Sequence, residues 1–116
     1  MKATIWHNNR CSNSRGALAL LQEAGADIEV INYLDTPPSA AELRTLLKEM
    51  GIPARDLLRN KEAAYAELGL AAKLDDEKAL IDAMAAHPAL INRPIVRTAK
   101  GTALCRPPET VHTLLD

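Results

Sequence analysis

The sequence predicts an α/β fold: a small mixed four-stranded sheet with helices inserted between an N-terminal βαβ unit and a C-terminal ββα unit. Three observations carry this prediction. A β-prone stretch, a helix-spaced apolar run and an alternating stretch follow one another within residues 3–33. The middle of the chain, roughly 39–87, carries helical signals only. The last third returns to two short β-prone segments and then to a proline-opened run of helical spacing.

Each element has a local cause. Ala3-Thr4-Ile5-Trp6 is short and β-prone, and His7-Asn8-Asn9-Arg10 after it reads as a turn. Ala17, Leu18, Leu20, Leu21 and Ala24 then lie at helical spacing, and Gly25 is placed to cap that helix. Ile28 to Tyr33 alternates as a strand does. A strand, helix and strand this close together make a parallel unit with a right-handed crossover. Ser39 and Glu42 match a capping box, followed by Leu43, Leu46, Leu47 and Met50 on one face before Gly51. Short helices are expected at 53–58 and 62–69, and a longer one at 75–87 with Leu80, Ile81 and Met84 on one face. Asp75 and Asp76 suit the positive end of its dipole. Residues 95–98 and 102–105 flank a hairpin-like Ala99-Lys100-Gly101. Pro107-Pro108-Glu109 opens a terminal helix with Val111, Leu114 and Leu115 on its face. This is the order of a thioredoxin-like fold enlarged by helices in its middle, read as a single domain over 1–116.

Composition narrows the function. With 116 residues, 47% apolar and 25% charged, the chain has the make-up of an ordinary globular domain. A net charge of −1 and the lack of any Lys/Arg run give no footprint for nucleic acid or acidic membranes. No apolar run approaches the ~20 residues of a spanning helix. The two cysteines, Cys11 and Cys105, are too few for a secreted disulfide framework, and the three histidines are isolated, so no metal-ligand spacing exists. A cytoplasmic protein with free thiols is the expectation.

The informative segment is His7-Asn8-Asn9-Arg10-Cys11-Ser12-Asn13-Ser14-Arg15. Cys11 falls where the first strand gives way to the first helix. Free N–H groups and the positive end of the helix dipole converge there, and they stabilise a thiolate as readily as they bind an oxyanion. His7, Arg10 or Arg15 would add positive charge, and the Ser14 hydroxyl can donate to the sulfur across one turn. The motif is C-x-x-S, so no disulfide can form across this turn. Asn92-Arg93-Pro94-Ile95 precedes the third strand, and the proline forces Arg93 into an extended conformation and is a candidate for a cis bond. Leu104-Cys105-Arg106-Pro107 ends the fourth strand at a sheet edge, where α/β ligand sites gather. Arg59 follows Leu57-Leu58 as a third candidate. Taken singly, each arginine reads as a solvated surface charge and Cys105 as a strand-end core residue.

With these residues in view, the chain resembles the glutaredoxin- and glutathione-dependent arsenate reductase family over essentially its whole length. The matching motifs are His7-Asn8-x-x-Cys11-x-x-Ser14-Arg15, Tyr33-Leu34-x-x-Pro37-Pro38 and Leu57-Leu58-Arg59, then His87-Pro88-x-Leu90-Ile91-Asn92-Arg93-Pro94-Ile95 and Gly101-Thr102-x-Leu104-Cys105-Arg106-Pro107. The last two are the specific ones. The resemblance implies that Cys11 attacks arsenate, that Arg59, Arg93 and Arg106 clamp the oxyanion and its thiol adduct, and that His7 and Ser14 keep Cys11 ionised. Glutathione would then attack the adduct and a glutaredoxin would complete the reduction to arsenite, with no bound cofactor and no metal. The loop departs from the family pattern at Asn9, where proline is common, and at Asn13, where Thr or Lys is usual. These changes touch loop stiffness and local charge rather than the nucleophile.

Two alternatives belong to other classes. One is a thioredoxin-like regulator that binds partner proteins, similar to the RNA-polymerase-binding redox regulators. Those typically carry a second loop cysteine and lack the full arginine set. The other is a thiol reductase of a different substrate. Ser14 and the three arginines favour the arsenate enzyme.

Overall fold

A computed structural model of the protein describes residues 1–115. The chain forms two compact units. One comprises Met1–Thr36 together with the residues from Arg93 onward, and the other is Pro37–Asn92.

The first unit holds the sheet. It contains β1 (Lys2–His7), α1 (Ser12–Glu23), β2 (Asp27–Asn32), β3 (Ile95–Thr98), β4 (Gly101–Leu104) and a closing 3₁₀ segment, Pro108–Leu114. The strand order is β2-β1-β3-β4. β1 pairs parallel with β2, with Ile5 opposite Val30, and antiparallel with β3, with Ile5 opposite Val96. β4 runs antiparallel to β3. This is the mixed thioredoxin-like sheet expected from the sequence. Side chains alternate across a strand, so Ala3 and Ile5 of β1 share a face and meet Ala17 and Leu21 of α1. Val96, Cys105, Val111 and Leu114 complete this core.

Two details of this unit bear on the site. Gly16 lies on the α1 face that receives the Pro108–Leu114 segment. A Cβ there would stand 3.0 Å from Pro108 Cγ and 3.2 Å from Pro108 Cβ, so the missing side chain is what lets that segment approach α1. The segment itself corrects the expected terminal α-helix: it is 3₁₀ throughout. Apolar residues three apart share a face in both helix types, so Val111 and Leu114 fit either.

The second unit is helical: α2 (Ala40–Met50), α3 (Ala54–Leu57), α4 (Ala63–Glu67), α5 (Glu77–Ala86) and 3₁₀ turns at Leu70–Ala72 and Pro88–Leu90. The expected insertion, roughly 39–87, falls inside it. The capping box is formed: Ser39 Oγ accepts the Glu42 N–H at 3.1 Å and Glu42 Oε1 accepts the Ser39 N–H at 3.3 Å. Gly51 ends α2 at φ 69°, a left-handed turn that disfavours any residue with a Cβ. Asp76, not Asp75, caps α5, accepting the Ala79 N–H at 3.1 Å. Leu43, Leu46 and Leu47 of α2 and Leu80, Ile81 and Met84 of α5 are buried as their spacing requires. At the end of α3 the backbone is clipped to residues 90–92. The Arg59 N–H donates to the Leu90 carbonyl and the Asn92 N–H to the Leu57 carbonyl, both at 2.8 Å. Among the described residues no helix is long and apolar enough to cross a membrane.

Candidate active site

Cys11 occupies the N-cap position of α1, with extended backbone at φ −93° and ψ 123°. A Ser, Thr, Asp or Asn usually stands there and accepts an N–H from the second or third helical residue. Here a sulfur stands in that place. It makes no side-chain cap hydrogen bond of ordinary geometry, yet the N–H groups of Ser14 and Asn13 act on it. The first turn of α1 contains no acidic residue, so nothing offsets the positive end of the helix.

The thiol is 8% exposed. Burial alone would push its pKa up. The Ser14 N–H, a hydrogen bond from the Arg93 side chain, the Asn13 N–H and the Arg93 charge outweigh that, and the pKa lies below the ordinary thiol value. Arg106 adds a second guanidinium: its Nη1 stands 3.5 Å from Cys11 Sγ. The same Nη1 donates to the Arg93 carbonyl at 3.0 Å. Both arginines precede prolines, and the Arg93–Pro94 and Arg106–Pro107 peptides are cis. β3 begins just after Arg93 and β4 ends just before Cys105, so antiparallel pairing brings the two arginines together. The Cys105 N–H donates to the Pro94 carbonyl at 2.8 Å and fixes that register.

The loop before Cys11 is held by Asn8. The Asn8 carbonyl accepts the Cys11 N–H at 3.0 Å, and its Oδ1 accepts the Arg10 N–H at 2.9 Å. The Asn8 N–H donates to Ser14 Oγ at 3.0 Å. Arg15 Nη1 donates to the Asn9 carbonyl at 2.9 Å, bracing the position where the family commonly has proline.

Other expected residues sit differently. Ser14 and His7 are buried, and they meet each other: Ser14 Oγ lies 2.8 Å from His7 Nδ1. With the Asn8 N–H also on it, the Ser14 hydroxyl is engaged away from the sulfur. What Ser14 gives Cys11 is its backbone N–H. His7 acts on this Ser14 hydroxyl, while Arg15 is committed to the loop and Arg10 is exposed. The charge near the thiol therefore comes from Arg93 and Arg106. Arg59 belongs to the second unit, where its Nε donates to Glu62 at 3.2 Å and its Nη1 to Asn92 Oδ1 at 3.3 Å. Cys105 is fully buried, and burial pushes its thiol up to about 12. Both cysteines are free thiols. Among the described residues no cluster of His, Cys, Asp and Glu could hold a metal ion.

The ArsC family model matches residues 6–114. An arsenate reductase of Escherichia coli is 50% identical over 112 residues, covering 97% of this chain and 79% of that protein. One from Rhizobium meliloti (strain 1021) is 44% identical over 115 residues, covering 99% and 82%. The solved structure of an arsenate reductase from Vibrio cholerae superposes with a TM-score of 0.93 at 44% identity, covering 99% of this chain and 98% of that one. With a family match over residues 6–114 and relatives up to 50% identical over nearly its whole length, the chain belongs to the ArsC family.

Proposed function

We propose that this chain reduces arsenate to arsenite with Cys11 as the nucleophile. The observation that carries the proposal is a thiol of lowered pKa at a helix start, with one guanidinium 3.5 Å from its sulfur and a second acting on it. Arsenate is an oxyanion and the thiolate is an anion, so their approach is repulsive unless cations offset it. Planar guanidinium forks suit both the substrate and its adduct. Cys11 sulfur attacks arsenic, an S–As bond forms, and one As–O bond breaks with the oxygen leaving as water. A second thiol then attacks the adduct. Arsenic(V) becomes arsenic(III), and the two thiol equivalents become a disulfide.

Glutathione is the second thiol in this reading, and a glutaredoxin thiol then opens the Cys11–glutathione disulfide and returns Cys11 to the thiolate; the family resemblance supports both. A polar hollow of about 340 Å³ beside the loop is bordered by Asn8, Asn9, Arg10, Asn32 and Asp35. Its amides and opposite charges suit a zwitterionic peptide thiol. The resemblance also assigns Arg59 to the oxyanion, and reducing glutathione chemistry fits the cytoplasm. The test is arsenite production from arsenate with glutathione and glutaredoxin. Cys11→Ser should abolish it and Cys105→Ala should retain most of it. Equal loss in both would replace this mechanism with a two-cysteine relay.

A further inference from the structure

Arg106 is an exposed side chain, and an unrestrained arginine spreads over many rotamers, so fixing it in one carries an entropic cost. Yet its Nη1 is held at the Cys11 sulfur. One restraint is the Arg93 carbonyl. The other is Asn13, in the first turn of α1. With its amide oxygen turned toward the guanidinium, Asn13 accepts from Nη1 at 3.2 Å and from Nη2 at 3.3 Å. The opposite orientation would set the amide's NH₂ donors against the guanidinium's own, so the hydrogen-bond pattern selects this one.

We infer that Asn13 is a positioning residue, which aims the Arg106 guanidinium at the Cys11 sulfur and at the oxyanion that reacts there. The inference rests on the reading of Cys11 as nucleophile and Arg106 as its cation. Two features of the contact carry it. It is two-pronged: one oxygen bridges both terminal nitrogens and so restrains rotation of the fork as well as its position. It is also neutral. Arg59, by contrast, is held by the carboxylate of Glu62, which offsets its charge. Arg106 is held by two carbonyl oxygens, and these fix a cation without cancelling it. Besides Asn9, this loop departs from the family pattern at Asn13, where Thr or Lys is usual. A lysine there would repel Arg106, and a threonine hydroxyl is too short to span both nitrogens in the same way.

The test is a double-mutant cycle in the arsenate reduction assay, with Asn13→Ala, Arg106→Ala and the pair, beside Cys11→Ser as the check on the underlying reading. Alanine is the better helix former, so a loss of turnover in Asn13→Ala is not a loss of folding, and thermal unfolding confirms that. Asn13→Ala should lower kcat/KM for arsenate about 10-fold, the size of one charge-assisted hydrogen bond, chiefly through KM. The Cys11 alkylation midpoint should stay close to the wild-type value in the same variant, because the backbone N–H donors and Arg93 that lower the pKa are untouched. In the Arg106→Ala background Asn13→Ala should cost nothing further. An equal loss in both backgrounds, or wild-type behaviour of Asn13→Ala beside an impaired Arg106→Ala, overturns the inference while leaving the mechanism standing. An active Cys11→Ser, or an unimpaired Arg106→Ala, overturns the reading beneath it.

Discussion

Replacing Gly16 with alanine separates two effects that usually travel together. Alanine in a helix is favoured over glycine by up to ~1 kcal/mol. Against that, the added Cβ stands 3.0 and 3.2 Å from two carbons of the Pro108 ring, where ordinary carbon contacts lie at about 3.5–4.0 Å. A pyrrolidine ring cannot rotate out of the way, so the backbone must retreat by roughly half an ångström. Overpacking of this kind costs about 1–3 kcal/mol, so the net change in stability falls between nothing and about 2 kcal/mol. The functional effect is larger, because Arg106 lies two residues before Pro108. A retreat of that size stretches its 3.0–3.3 Å hydrogen bonds to the limit of useful geometry. The charge–charge term at the sulfur, which falls only as 1/r, drops by roughly an eighth. Gly16→Ala should therefore lower arsenate kcat/KM by up to about 10-fold while leaving the pH midpoint of Cys11 alkylation almost where it was. Steady-state kinetics, thermal unfolding and iodoacetamide kinetics on the same preparation measure all three. Adding Pro108→Ala, which removes the ring carbon that is struck first, should restore much of the turnover. Unchanged turnover in Gly16→Ala, or a loss that Pro108→Ala does not relieve, would refute the idea that close approach at Gly16 sets the arginine.

Three further outcomes follow from the same geometry. The Cys11 pKa is lowered in the fold, so the thiolate and the stability it contributes are present above the ordinary thiol value and persist below it, to be lost only as pH falls through the depressed value; an alkylation midpoint at or above that of a free thiol would contradict this. Cys105 behaves oppositely: held protonated to about 12 in the fold, it should make the protein lose stability between pH ~9 and ~12 at about 1.4 kcal/mol per unit, and Cys105→Ala should flatten that stretch of the denaturation-versus-pH curve. Arg106→Lys should recover only part of what Arg106→Ala loses in arsenate turnover, because an ammonium keeps the charge but cannot span the Cys11 sulfur, the Arg93 carbonyl and Asn13 at once.

What the sequence made legible was whatever depends on near neighbours. Ser39 and Glu42 are three apart, so their capping box could be named, and the alternation from Ile28 to Tyr33 could be read as a strand, which the fold has at Asp27–Asn32. Cys11 could be placed at a helix start because Asn8 to Arg10 read as a turn and Ala17 onward as a helix. The C-terminal segment was harder, since Val111 and Leu114 keep their relation in a 3₁₀ helix as in an α-helix. The partner of the Ser14 hydroxyl depended on how the end of β1 packs against the first turn of α1, which no spacing reveals. Asn13 and Arg106 are far apart in the chain, and an asparagine near a helix start has many ordinary uses. Only the strand pairing that carries Arg106 back to α1 gives that residue its meaning.

That pairing joins residues 95 positions apart in the sequence, Cys11 and Arg106. A ribosome working at ~5–20 residues per second makes the sulfur roughly 5–20 s before it makes the arginine. Until Arg106 follows Arg93 and the strands pair, the nascent chain carries Cys11 without its complete pair of guanidinium groups, as a mostly protonated thiol of low reactivity toward oxidants and electrophiles. The nucleophile thus matures with the sheet, and an incompletely synthesised or incompletely folded chain is shielded from the chemistry that its finished form performs.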